Sequence, residues 1–162
     1  MSTRTAYTGN PEEDLGILLT AALGVFKERL HQHLASAGYD DLGASFGFVF
    51  RSLAERPLSL VELAAKLGIS SQGALKIAAE MQQRGYVERQ DDVADRRVRR
   101  LLLTARGRAA LREARRFHAT AERELVKSVG ARQVAGARAV LRKLAQESGD
   151  DHGSWAMSAR PF

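Results

Sequence analysis

Cysteine is absent from the 162-residue chain. That removes disulfides, thiolate metal sites and thiol-based redox sensing together. Histidine occurs only at positions 31, 33, 118 and 152. The pair His31 and His33 is the one approach to a metal-ligand spacing, and on a helix its members point about 200° apart, so no metal site is expected. No apolar run approaches the roughly 18 residues of a membrane span. The stretch Met1 to Tyr7 lacks the apolar segment of a secretory signal. No cluster of histidine, carboxylate and nucleophile is present, and no phosphate-binding loop. Neither catalytic residues nor a cofactor is therefore expected, and the chain does not read as an enzyme. What is there, at 44% hydrophobic and 27% charged residues, is the composition of a soluble globular protein, expected in the cytoplasm. The length suits one compact domain, or a core with helical extensions.

The net charge of +6 is unevenly distributed. Between Arg84 and Arg116 stand eleven arginines against five acidic residues, an excess equal to that of the whole chain. The remaining residues carry fourteen basic and fourteen acidic side chains. Guanidinium is planar, permanently charged and able to bind two oxygens at once, so a dense arginine excess suits phosphate contact. A heavily charged, solvated helix face is the plainer alternative.

Residues 1–11 read as a flexible lead-in. Pro11, Glu12, Glu13 and Asp14 form a good helix start, because proline tolerates the first turn and acids favour the positive helix end. Leu15, Leu18, Leu19, Ala22, Leu23, Phe26 and Leu30 then recur at helical spacing, which predicts a long helix to about Ala35. A second helix is expected from Leu42 to Glu55, with Phe46, Val49, Phe50 and Leu53 on one face. Arg56-Pro57 stops it, since the residue before proline is steered out of helical geometry.

Ser59 and Glu62 form a capping box for a short helix whose buried stripe is Leu60, Leu63, Ala64 and Leu67. Gly68 permits a tight reversal, Ile69 points inward, and Ser70 or Ser71 caps a further helix over about 72–84 with Ala74, Ile77, Ala78 and Met81 buried. Two short helices joined by a glycine-containing turn make a helix-turn-helix. After Gly85 the period changes. Residues 86–89 and 98–103 read as two strands around a charged loop at 90–97. Thr104 caps a long helix to about Ser128, and a last helix spans about 132–146. The tail at 148–162 is expected to be flexible.

A helix-turn-helix followed at once by a hairpin is a winged helix. Its second helix fits a DNA major groove, and its wing reaches phosphate or the adjacent minor groove. The expected fold is mostly α with a small β-wing. Ser70, Ser71, Gln72, Leu75 and Lys76 are the candidate base or phosphate contacts on the second helix, with Arg84 at its end. Arg96, Arg97 and Arg99 are the candidates in the wing. An arginine at a hairpin tip can enter a narrow, electronegative minor groove, and Asp95 is expected to organise that arginine.

The run from Asp95 to Gly107 resembles the wing and following helix start of the MarR family of bacterial transcription regulators. Asp95, Arg97, Leu103, Thr104 and Gly107 match at the family spacing, and Leu63, Ala64, Gly85 and Tyr86 match upstream. Glu80 departs from it, standing where a basic residue is frequent, and Gly73 stands where many members carry Ser or Thr. The resemblance implies one domain over 12–147, with dimerisation helices at 12–37 and 104–147 flanking a winged-helix part at 42–103. It implies a homodimer, with Leu15, Leu18, Leu19, Leu141 and Leu144 as interface candidates, bound to double-stranded DNA at a pseudo-palindromic operator, as a repressor. A small phenolic or anionic effector is also implied, for which His31, His33, Tyr39, Phe48 and Arg51 are pocket candidates. A winged-helix module that docks proteins rather than DNA is the alternative.

Overall fold

In the computed structural model, residues 14–92 and 98–146 are described. The chain divides into two units, Met1–Asp40 and Asp41–Phe162. The first holds one helix, α1 (Leu15–Ser36). Asp14 starts it, its carboxylate accepting from the N–H groups of Gly16 at 2.8 Å and Ile17 at 3.1 Å, so two of the unpaired donors of the first turn are satisfied. Pro11, Glu12 and Glu13, the expected start, lie outside the described residues, as do 148–162. Leu15, Ile17, Leu18, Leu23 and Val25 of α1 are all exposed.

The second unit runs α2 (Phe46–Glu55), β1 (Leu58–Ser59), α3 (Leu60–Leu67), α4 (Ser71–Gln83), β2 (Val87–Asp91), β3 (Arg99–Leu103), α5 (Ala105–Val129) and α6 (Ala131–Gln146). The fold is mostly α with a small antiparallel sheet. That sheet has three strands in the order β1-β3-β2, one more than the expected hairpin. Strand β1 is two residues long, too short to show a period. Its pairing of Leu58 with Leu101 and Ser59 with Arg100 depends on residues some forty positions away.

Helix α2 begins at Phe46, four residues later than the apolar pattern suggests. The Phe46 N–H closes a turn on the Gly43 carbonyl at 3.0 Å, and its ring lies over Gly43 so closely that a Cβ there would meet it at 2.8 Å. Phe46, Phe50 and Tyr86 form an edge-to-face cluster with centroids 5.6–6.4 Å apart, a favoured arrangement of ring quadrupoles. Val49, Leu53, Leu58, Leu63, Leu67, Met81, Val87, Leu101, Leu103, Leu111 and Phe117 complete the core. Ile77 and Leu60, expected inside, are only half-buried.

The helix-turn-helix follows the local rules. Ser59 and Glu62 make the reciprocal capping box, and Gly68 ends α3 in the left-handed region at φ 64°, a conformation that is strained for residues with a Cβ. Ser70 caps α4 by accepting from the Gly73 N–H at 3.0 Å. Helix α6 buries no residue, and Val140, Leu141 and Leu144 on it are exposed, as are Leu125 and Val129 at the end of α5. None of the described helices is long and apolar enough to cross a membrane.

Candidate nucleic-acid interface

Helix α4 has two faces. Ala74, Ala78 and Met81 are fully buried; opposite them, Ser70, Gln72, Gly73, Leu75, Lys76 and Ala79 line a shallow open concavity. Small residues at 73 and 79 make the hollow, and Leu75 stands in it 44% exposed. The Ser70 hydroxyl is engaged as helix cap, which leaves its O–H hydrogen to donate. Ser71, Gln72 and Lys76 are exposed and make no side-chain hydrogen bond among the described residues. The face thus offers three polar groups, one cation and one apolar contact.

Arg84 sits differently. Its guanidinium pairs with Glu80 at 2.6 Å, donates to the Asp41 carbonyl and stacks over the Phe46 ring at 5.4 Å. These ties hold the end of α4 to the turn before α2. They also account for Glu80: its carboxylate lies beside a guanidinium one helical turn on, a favourable i,i+4 pair.

Strands β2 and β3 rise as a hairpin from Val87↔Leu103 to Asp91↔Arg99. Beyond that pair the Asp92 N–H donates to the Val98 carbonyl at 2.9 Å, so the ladder runs further than the expected strand of 86–89. Asp95, Arg96 and Arg97 lie outside the described residues. Arg99 is exposed and stands 3.7 Å from Asp91.

One wing residue that sequence reasoning passed over is Arg100. Its Nε donates to Asp92, and its NH1 donates to Glu62 Oε2 at 2.6 Å. Glu62 Oε2 also accepts from the Ser59 N–H at 2.7 Å, and Oε1 from Arg56 at 2.8 Å. The Ser59 N–H bond, then the Arg56 hydrogen bond, lower the Glu62 carboxyl to about 2, with Arg100 adding to the fall. Asp92 in turn raises the Arg100 guanidinium. The spacing of 38 residues between Glu62 and Arg100 carries no local signal.

At the start of α5 a second polar group is assembled. The Tyr86 hydroxyl donates to the Asp41 carboxylate, and Arg106 reaches both, at 3.1 Å to the hydroxyl and 3.2 Å to Asp41. Burial, then the bond to Asp41, pushes the Tyr86 phenol up to about 12. The same bond, followed by the Arg106 charge, lowers Asp41. Thr104 Oγ1 donates to the Gly85 carbonyl at 2.6 Å and accepts from the Gly107 N–H at 3.1 Å. The Leu103-Thr104 and Gly107 signature is therefore a joint between the end of α4 and the start of α5. Several arginines of the basic window, 84, 100 and 106 among them, serve the fold, so the charge excess is not all turned outward.

The remaining site residues divide between the two units. His31 and His33 are on α1, and Tyr39 follows it with its N–H on the Leu34 carbonyl at 2.9 Å. Phe48 and Arg51 are on α2, half-buried and exposed respectively. Burial, then the Arg51 charge, lowers the imidazole of His118 on α5. No group of three potential metal ligands occurs among the described residues.

Residues 48–98 match the MarR family model. Transcriptional repressor MprA of Escherichia coli (strain K12) is 44% identical over 52 residues, 32% of this chain and 30% of the relative. The match thus spans under a third of that protein. Among solved structures, Streptococcus pneumoniae FabT in complex with DNA is similar at 20% identity and a TM-score of 0.67, over 85% of this chain and 99% of that one. A MarR family protein from Bacillus stearothermophilus is similar at 22% identity and a TM-score of 0.65, over 84% and 94%. The wing-to-helix signature, the sequence match over residues 48–98 and the shared fold agree: that segment is similar to the MarR family, and the chain has the fold of the MarR family protein from Bacillus stearothermophilus.

Proposed function

We propose that the chain is a sequence-specific, DNA-binding transcription regulator that acts as a two-fold dimer and represses by occluding its operator. The observation that carries this is the outward face of α4, where Ser71, Gln72, Leu75 and Lys76 stand unengaged beside a small-residue hollow. Such a face can be inserted into a major groove, with Lys76 meeting guanine or phosphate and Leu75 meeting a thymine methyl group. Arg96 or Arg97 enters the flanking minor groove, Asp95 holds the tip in shape, and Arg99 contacts phosphate. Leu15, Leu18, Leu19, Leu141 and Leu144 join two copies, which sets the two α4 helices on successive major grooves of a pseudo-palindrome. A small phenolic or anionic effector releases the DNA. A regulator of this kind works in the cytoplasm, where a bacterium keeps its DNA.

The test is selection of bound duplexes from random DNA, then mobility shifts over a range of salt. The expected result is a palindromic consensus, and a steep salt slope of about 0.9 per neutralised phosphate. Replacing Arg96→Ala and Arg97→Ala together should weaken binding and flatten that slope. Selection that returned no consensus, or a double variant with unchanged affinity, would overturn the proposal or its wing contact respectively.

A further inference from the structure

Resting on the DNA-binding reading, we propose that Glu62 and Asp92 are positioning residues which clamp Arg100 from two sides and so fix the base of the wing against the N-terminus of α3. The geometry is continuous. Ser59, the cap of α3, is the strand partner of Arg100 in the β1–β3 ladder. Glu62 reaches back from α3 to the Ser59 N–H and, with the same oxygen, to the Arg100 guanidinium. Asp92 holds the Nε edge of that guanidinium with its carboxylate, while its own N–H closes the hairpin on Val98. One arginine thus ties the first helix of the helix-turn-helix to the last described rung of the wing.

The side chains are partly screened from water, Asp92 being 14% exposed, Arg100 31% and Glu62 35%. Charge-assisted bonds of this kind are directional and stronger than neutral ones. A two-stranded ribbon that projects from a sheet has little else to set its angle, and pairs of strands twist and flex readily. Groove contacts from the tip are sensitive to that angle, because phosphate and minor-groove positions on the duplex are fixed relative to the major groove that α4 would occupy.

Charge makes the idea testable. Glu62→Gln and Asp92→Asn each remove a negative charge from the side that would face DNA. Simple electrostatics therefore predicts tighter binding, whereas loss of the clamp predicts weaker binding. Glutamine serves in a capping box as glutamate does, so Glu62→Gln should keep α3 and the fold. For the double variant Glu62→Gln/Asp92→Asn, affinity for the selected duplex should fall about tenfold and the salt slope by about one, as a phosphate contact is lost. In the free protein, amide exchange at Asp92 and along β2 should quicken at least about tenfold, while the amides of Ala78 and Met81 in α4 keep their protection. Equal or tighter DNA binding by the double variant overturns the positioning role. Unchanged exchange in the wing overturns the clamp itself. If the parent chain selected no duplex, the DNA reading and the role of the clamp in it would fall together, and exchange would still decide whether the clamp holds the wing.

Discussion

The backbone carbonyl of Tyr86 occupies the space in which a side chain on Gly107 would begin. A Cβ there falls far inside van der Waals contact with that oxygen and also touches Leu103 at 3.4 Å. Glycine in a helix costs about 0.5–1 kcal/mol relative to alanine, so the position is occupied for packing and not for helix formation. Gly107→Ala should lower stability, the crowding of about 1–3 kcal/mol outweighing the gain in helix propensity. Chemical denaturation checks the sign; a more stable alanine variant would contradict the packing.

Acid should weaken the fold through Glu62. Its carboxyl titrates near 2 in the folded chain against an ordinary 4.5, so the folded state binds this proton less readily than the unfolded one. The resulting stability is fully present above about pH 4.5 and is lost as pH falls from there toward 2. Denaturation at constant ionic strength from pH 6 to 2.5 should show the gap between the parent chain and Glu62→Gln narrowing below pH 4.5. A gap that stays constant would mean that the carboxylate is not held as described.

On α4, Lys76 and Leu75 should separate affinity from sequence choice. Lys76→Ala, if the amine meets phosphate, should weaken binding across sequences and lower the salt slope by about one. Leu75→Ser should leave the slope in place and change the selected bases, thymine preference first. If Leu75→Ser selected the parent consensus, the hollow beside it would have no part in base choice.

The exposed leucines of α6 give a prediction about assembly. Leu141 is 49% exposed and Leu144 43%, and an apolar stripe of this size on a helix that buries nothing is a common mark of a subunit contact. Leu141→Glu with Leu144→Glu should shift sedimentation toward the monomer and abolish binding to a two-half-site duplex, while far-ultraviolet circular dichroism stays close to that of the parent. Unchanged sedimentation would place the contact elsewhere.

What was readable in the sequence was mostly local. The capping bonds of Ser59 with Glu62, of Ser70 and of Thr104, and the turn at Gly68, each close within four residues, and the structure places them at the predicted caps and turn. Non-local features were not readable. Strand β1 exists through Leu58↔Leu101, and Arg100 is aimed by residues 8 and 38 positions away. Leu42 extends the helical pattern of α2, yet packing of the Phe46 ring on Gly43 delays the helix start. Arg84 reads as one more exposed cation until Asp41, 43 residues earlier, takes its donor. Composition shows how many arginines there are; only the fold divides those that bind within it from those left facing solvent.

The Thr104 joint has a mechanical consequence. Thr104 Oγ1 bonds Gly85 and Gly107, and the Thr104 N–H bonds the Tyr86 carbonyl at 3.1 Å, so the tail of α4 is tied by hydrogen bonds to the head of α5. Helix α5, at 25 residues, is about 37 Å long. A tilt of about 5° about its far end therefore carries α4 sideways by about 3 Å, a displacement comparable to one base-pair step. In the two-fold DNA-binding arrangement proposed above, α5 would serve as a lever arm: a small rotation far from the DNA would change the groove spacing that a pair of molecules spans.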